Sequence, residues 1–186
     1  MTGNEATLAV IDALEASSIP YMLVGSYASN VYGVERSTQD ADFVVELAEG
    51  AFGELSRRLP TAIRIDRQMS FETVTMTTRF VARVLESPFK IEFFLVSSDP
   101  HDQERFRRRR RVTAVNRPVW LPTAEDVIIT KLRWSLVGRR SKDRDDARDV
   151  IAVQGDRINW DYVHSWCEQH GTRELLDEIR RSIPPI

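Results

Sequence analysis

The chain has 186 residues, 42% hydrophobic and 29% charged, with a formal net charge of −2. That is the balance of an ordinary globular protein, long enough for one substantial domain or a domain with a small appendage, and it excludes a uniformly basic nucleic-acid binder, though not a local basic face. No apolar run approaches the roughly 20 residues of a membrane span, the acidic N-terminus lacks the basic start of a secretory signal, and the single cysteine, Cys167, cannot form an internal disulfide, so the expectation is a cytoplasmic protein without a membrane partner.

In chain order, residues 4–17 place Leu8, Ile11 and Leu14 on one helical face, and Pro20 ends the segment. Tyr21-Met22-Leu23-Val24, bounded by Pro20 and Gly25, reads as a buried strand; a short helix from Ser26 to Tyr32 follows, and Gly33 stops it. A second strand runs from Asp40 to Leu47, a helix occupies 50–59 up to Pro60, and Ala62 to Ile65 is a strand. Residues 67–78 carry mixed signals and are read as helix. Phe80 to Leu85 and Phe89 to Val96 read as antiparallel strands joined through Ser87-Pro88. Asp99 to Arg110 is a charged helix and Val112 to Leu121 one extended piece. From Pro122 the pattern turns helical: Thr123-Ala124-Glu125-Asp126 opens a helix to about Val137, and further helices are expected at 142–153, 159–170 and 172–181. The fold class is therefore α+β, a mixed sheet with flanking helices over about 1–115 and a helical region over about 122–186.

Asp40 and Asp42 lead the apolar run Phe43-Val44-Val45. Side chains two apart on a strand share a face, so the two carboxylates project together, and like charges about 4 Å apart repel by roughly 4 kcal/mol at an effective dielectric of 20. An isolated Asp-x-Asp is by default a pair of solvated acids. A divalent cation is the other answer, because Mg²⁺ takes oxygen ligands and commonly uses one or two carboxylates with substrate phosphates. Three further features point that way. Gly25-Ser26 directly follows a strand and opens a helix, the geometry of an anion site. Glu92 sits inside Phe89-Lys90-Ile91-Glu92-Phe93-Phe94, where an unpaired acid is costly to bury, although an edge-strand pairing with Lys90 would also satisfy it. Lys131 lies on an otherwise apolar helix with Ile128, Ile129 and Leu132, and Arg139 and Arg140 follow; a snorkelling lysine is the plainer alternative.

Gly25-Ser26, the spacer from Tyr27 through Gln39, Asp40-Ala41-Asp42 and a later strand acid at Glu92 together resemble the nucleotidyltransferase superfamily of polymerase-beta type. The spacer is slightly long and Glu replaces the commoner Asp. Within that superfamily the chain is similar to small bacterial abortive-infection and toxin–antitoxin-type enzymes, through the stretch PTAEDVIITKLRWSLVGRRSKDRDDARDVIAV. The resemblance implies a nucleotidyltransferase-like mixed sheet and Mg²⁺-dependent transfer of a nucleotidyl group from an NTP to an acceptor hydroxyl. It implies Asp40 and Asp42 as metal ligands, and Glu92 as a third ligand or proton acceptor. Phosphate contacts fall to Gly25 and Ser26, and triphosphate contacts to Lys131 and Arg139. Asp146, in Asp145-Asp146-Ala147-Arg148-Asp149, matches an acid of the tail pattern and is either catalytic or an arginine's partner. The implied partners are an NTP, a tRNA or other RNA acceptor, and an antitoxin protein. Two other classes stand beside this one: an inactive nucleotide- or RNA-binding module of the same fold, and metal-dependent phosphate-ester hydrolysis by the same carboxylates.

Two more constellations bear on function. His164, Cys167 and His170 at three-residue spacing suggest zinc, but no fourth ligand is evident, and helix packing with Trp166 in the core is the expectation. The run Arg105-Phe106-Arg107-Arg108-Arg109-Arg110-Arg111 either tracks an RNA backbone or is a solvated helix end balanced by Asp99, Asp102 and Glu104. No Walker A, His-Glu-x-x-His or Gly-x-Ser-x-Gly pattern is present.

Overall fold

Helix α1 (Gly3–Ala16) opens on a reciprocal cap, in which the Glu5 N–H donates to the Thr2 hydroxyl and the Thr2 N–H donates to the Glu5 carboxylate. The computed structural model describes residues 1–48, 50–66, 68–138 and 141–184. After α1 come β1 (Tyr21–Val24), α2 (Gly25–Tyr32), β2 (Asp40–Val45), α3 (Ala51–Arg58), β3 (Ile63–Ile65), β4 (Ser70–Glu72), β5 (Thr77–Val84) and β6 (Lys90–Leu95). Then follow α4 (Pro100–Arg108), β7 (Arg110–Ala114), β8 (Arg117–Leu121), α5 (Ala124–Gly138), α6 (Ser141–Gln154), a 3₁₀ turn at Gly155–Arg157, α7 (Trp160–Gln169) and α8 (Arg173–Ser182).

The main sheet has the order β1-β2-β6-β5-β3, with β4 also paired to β5. β2 and β6 are parallel; the other pairs in the sheet are antiparallel. The mixed sheet expected from the sequence is thus present, with helices flanking it.

Alternation along β2 divides its side chains between two environments. Ala41, Phe43 and Val45 enter the main core, where Phe43 stacks on Phe93 at 5.8 Å and contacts Tyr21 at 6.2 Å. Val44 joins Met22, Val24 and Phe106 in a smaller cluster on the opposite face, with Phe94 against it. Asp40 and Asp42 share that second face. The main core is continuous from α1 through the sheet to Val127, Ile128 and Leu132 of α5, Val150 of α6, Val163 of α7 and Leu176 and Ile179 of α8.

Two expectations are corrected. Residues 68–78 are not helical, residue 67 lying outside the described residues: β4 and the start of β5 form a hairpin, with a turn at 73–76 that brings Met76 to φ +55°. Val112 to Leu121 is not one extended piece but lies in the β7–β8 hairpin, whose two linking residues, Val115 and Asn116, have φ of +46° and +63°. Both turns lack the glycine that advertises a hairpin in sequence, and cross-strand pairing supplied what local preference did not.

Candidate active site

The register brings the two halves of the acidic pattern together. Asp42 on β2 is paired with Glu92 on β6 and, on its other side, with Val24 at the end of β1. Period-two alternation then sets Asp40 on the same face as Asp42. The chain leaves β1 directly into α2 through Gly25, whose φ is +62°. A β-carbon added there would lie 2.1 Å from Oδ2 of Asp42, so only glycine lets the helix start pass against that carboxylate. Gly25, Asp40, Asp42 and Glu92 all line one cavity of about 220 Å³. Its other walls include Val44 and Phe94 from the sheet, Asp102 and Arg105 from α4, and Asp126, Thr130, Lys131 and Trp134 from α5.

The acids are held in different ways. Asp40 accepts a hydrogen bond from the Thr38 hydroxyl at 2.7 Å. Glu92 faces Arg79 of β5, whose Nη1 lies 3.4 and 3.3 Å from its two oxygens; Lys90, the alternative partner, is exposed. Among the described residues, no three His, Cys, Asp or Glu side chains are gathered closely enough to hold a metal ion. The backbone therefore sets the carboxylates side by side while Thr38 and Arg79 hold two of them.

Lys131 is buried beside the cavity, its ammonium 2.8 Å from Asp143 and 2.7 Å from Asp146. Asp146 also receives two bonds from Arg36, at 2.7 and 2.8 Å, and Arg36 reaches the Ser26 hydroxyl at 2.9 Å. Burial works against ionisation of Asp146, but the Arg36 hydrogen bond and the Lys131 charge outweigh it and hold its carboxyl below the usual range. Ser26, Arg36, Asp146, Lys131 and Asp143 thus form one chain of charge-assisted bonds from the start of α2 to α5 and α6. The second oxygen of Asp143 is buried and has no hydrogen-bond partner. Arg139 lies outside the described residues.

Two residues that adjoin this site carry no sequence signal of their own, Arg36 and Arg79, while Asp143 lies in the tail stretch of the resemblance without being a candidate itself. Arg36 stands four before Asp40, in a segment read only as spacer. Arg79 lies in a strand that the sequence began one residue later.

The arginine run is largely consumed by the fold. Arg105 pairs with buried Asp102. Arg108 donates to Asp126 and lies 3.9 Å over the Tyr162 ring. Arg109 covers Phe106 and Trp120, and Arg111 reaches Glu15 on α1. Asp126, fully buried, further accepts from Tyr162 and Thr123 and contacts His101. In α7, Cys167 is buried and free, while Trp166 packs against the rings of His101 and His170.

The sequence matches no protein-family model and no curated protein. Solved structures do resemble the chain. The solution structure of the antibiotic-resistance factor ANT(2'')-Ia superposes with a TM-score of 0.64 at 13% identity, covering 96% of this chain and 96% of that one. The crystal structure of ANT(2'')-Ia in complex with adenylyl-2''-tobramycin gives 0.63 at 13% identity, covering 94% and 99%. An antigenic nucleotidyltransferase-like protein from Paracoccidioides brasiliensis gives 0.54 at 17%, covering 97% and 94%. The superpositions show that the chain shares the fold of these structures, a nucleotidyltransferase-like fold.

Proposed function

We propose that the protein transfers a nucleotidyl group from a nucleoside triphosphate to an acceptor hydroxyl, and that Asp40, Asp42 and Glu92, which stand too far apart to share an ion as they lie here, would turn toward one another to hold Mg²⁺. The observation that carries this reading is the β2–β6 register, which sets Glu92 beside Asp42 at the cavity that Gly25 opens. The donor set suits the metal: all three residues offer hard carboxylate oxygens, and phosphate oxygens complete such a shell. Gly25 keeps clear the space where a side chain would meet Asp42. The cation, when bound, withdraws charge from the α-phosphate and the leaving oxygen.

The protein's own groups bind, orient and move a proton. The backbone N–H groups at the start of α2, at Gly25 and Ser26, face phosphate oxygens, where the helix dipole favours negative charge. Lys131 spends two of its three donors on Asp143 and Asp146 and offers the third to the triphosphate; Arg139 is its expected companion. Asp146 is a positioning residue, fixing Lys131 on one side and Arg36, with Ser26, on the other. The acceptor oxygen bonds to the α-phosphorus as the bond to the β-phosphate oxygen breaks. Pyrophosphate leaves, and the hydroxyl proton passes to Glu92 or to solvent.

Two acceptors are proposed. The toxin-type resemblance supports tRNA, with an antitoxin as protein partner. A small cationic polyol is supported by the cavity lining, six carboxylates against Arg79, Arg105 and Lys131, and by the adenylyl-tobramycin bound in a protein of similar fold. The test is incubation of the protein with each labelled NTP, Mg²⁺, and either tRNA or an aminoglycoside. Label on one acceptor, lost by more than about 100-fold in Asp42→Asn, is the expected result; even an outer partner of a metal ligand is worth 10–100-fold. NTP binding without label on any acceptor would favour the inactive module, and phosphate release without an acceptor would favour a hydrolase.

A further inference from the structure

Arg79 sits against both carboxylate oxygens of Glu92. Its Nη1 lies 3.3 and 3.4 Å from the two carboxylate oxygens, and its Nε donates to the Ser70 hydroxyl at 3.0 Å. Glu92 and Arg79 both line the cavity with Asp40 and Asp42. The arginine rises from a braced support. Glu72 accepts from the N–H groups of Val74 and Thr75 and from the Thr75 hydroxyl at 2.6, 2.9 and 2.7 Å, and Thr75 stands on the same cavity wall.

The pair is loose. Charge-assisted bonds between nitrogen and carboxylate normally close to about 2.7–2.9 Å, as the Arg36–Asp146 pair does at 2.7 and 2.8 Å. The Arg79 side chain is also 36% exposed, against 26% for Arg36. Arg79 therefore neutralises Glu92 with a contact that is easily exchanged. A divalent cation on Glu92 would stand within a few ångströms of the guanidinium, where two positive charges repel strongly. A triphosphate entering the same cavity offers the guanidinium a better anion, one that it can grip with two parallel bonds.

We propose that Arg79 is a positioning residue that withholds Glu92 from metal until nucleotide arrives, then moves to the polyphosphate and leaves the carboxylate to the cation. Glu92 stays compensated through the exchange: the divalent cation takes the place of the guanidinium, and the guanidinium's single positive charge moves to the polyphosphate. It makes metal and nucleotide bind cooperatively, each weak alone. The proposal rests on the nucleotidyl-transfer reading of this site.

The experiment measures Mn²⁺ binding to the full-length protein by the loss of free-ion EPR signal, with and without a non-hydrolysable NTP analogue. It compares the wild type with Arg79→Ala, Arg79→Lys and Asp42→Asn, with circular dichroism confirming that each is folded. Arg79→Ala is expected to bind Mn²⁺ alone about 10-fold more tightly and the analogue about 10-fold more weakly, within the usual range of coupling between two ligands. Arg79→Lys keeps the charge and falls between. A merely structural arginine would weaken both or neither, so unchanged or weaker Mn²⁺ affinity in Arg79→Ala overturns the proposal alone. Absence of wild-type Mn²⁺ binding even with the analogue present, beyond what the analogue takes up without protein, or binding that Asp42→Asn leaves intact, overturns the nucleotidyl-transfer reading and the proposal together.

Discussion

Arg36, in the connection before β2, grips Asp146 of α6 with two nitrogens at 2.7 and 2.8 Å. The pair ties the acid-bearing strand to the helical region and, through Lys131, to α5. Asp146 is nearly inaccessible, with a side chain 6% exposed, so its charge is balanced by these two partners rather than by water.

Asp146→Asn should therefore cost about 3 kcal/mol of stability at pH 7, because removing one member of a buried ionic cluster leaves the others uncompensated. Urea unfolding measures it. The same substitution should flatten the acid limb. The native carboxyl titrates below its unfolded value near 3.9, so its contribution is complete above about pH 4 and is lost as pH falls through the depressed native value. A wild type and variant that lose stability in parallel below pH 4 would contradict this.

Gly25→Ala should damage the site more than the fold. The left-handed φ of +62° costs a residue with a β-carbon about 1–2 kcal/mol, and that carbon would lie 2.1 Å from Asp42. The carboxylate must turn away. Any nucleotidyl transfer should fall by more than about 100-fold, the scale of losses around metal ligands, while thermal unfolding stays cooperative. Wild-type turnover in the alanine variant would show that this contact has no bearing on chemistry.

His170 supplies a pH dependence in a different window. Burial pushes its imidazole down to about 4, and the charges of Arg133 and His101 add to the shift. Burial lowers His101 in the same direction. The unfolded chain takes up these protons near pH 6.5, whereas the native protein resists until about pH 4 at His170. Stability should thus decline as pH falls from 6.5 toward 4, and His170→Phe should make the decline shallower. Unfolding free energies measured at half-unit pH steps would decide it; identical slopes in both proteins would remove His170 as the cause.

The arginine run separates into residues that serve folding and residues that do not. Arg108 covers the Tyr162 ring and donates to buried Asp126, so Arg108→Ala should lose about 2 kcal/mol, combining a lost charge-assisted bond with a lost ring contact. Arg107 is 77% exposed and pairs with Glu104 at the helix surface, so Arg107→Ala should stay within about 0.5 kcal/mol of the wild type. Paired thermal melts test the contrast, and equal losses would refute it.

Much of the fold was legible locally. Tyr21–Val24 is an unbroken apolar run closed by Pro20 and Gly25, and β2 announces itself by Phe43-Val44-Val45 behind two acids on alternate positions. Helices α5 to α8 follow from spacing and acidic first turns. The hairpins at 70–84 and 110–121 were not legible, because their turns use Met76, Val115 and Asn116 at positive φ instead of glycine, and only pairing with a partner strand stabilises them.

The site divides in the same way. The sequence by itself determined that Asp40 and Asp42 share a face and that Gly25-Ser26 begins a helix after a strand, since both depend on spacing within a few residues. It did not determine that Glu92 would stand opposite Asp42, that Arg79 would occupy Glu92, or that Arg36 and Lys131 would meet on Asp146. Those relationships join residues far apart in the chain. They follow from the pairing of β6 with β2 on one side and β5 on the other, and from the docking of α6 on α2 and α5, which burial of the shared core fixes and short-range periodicity does not encode.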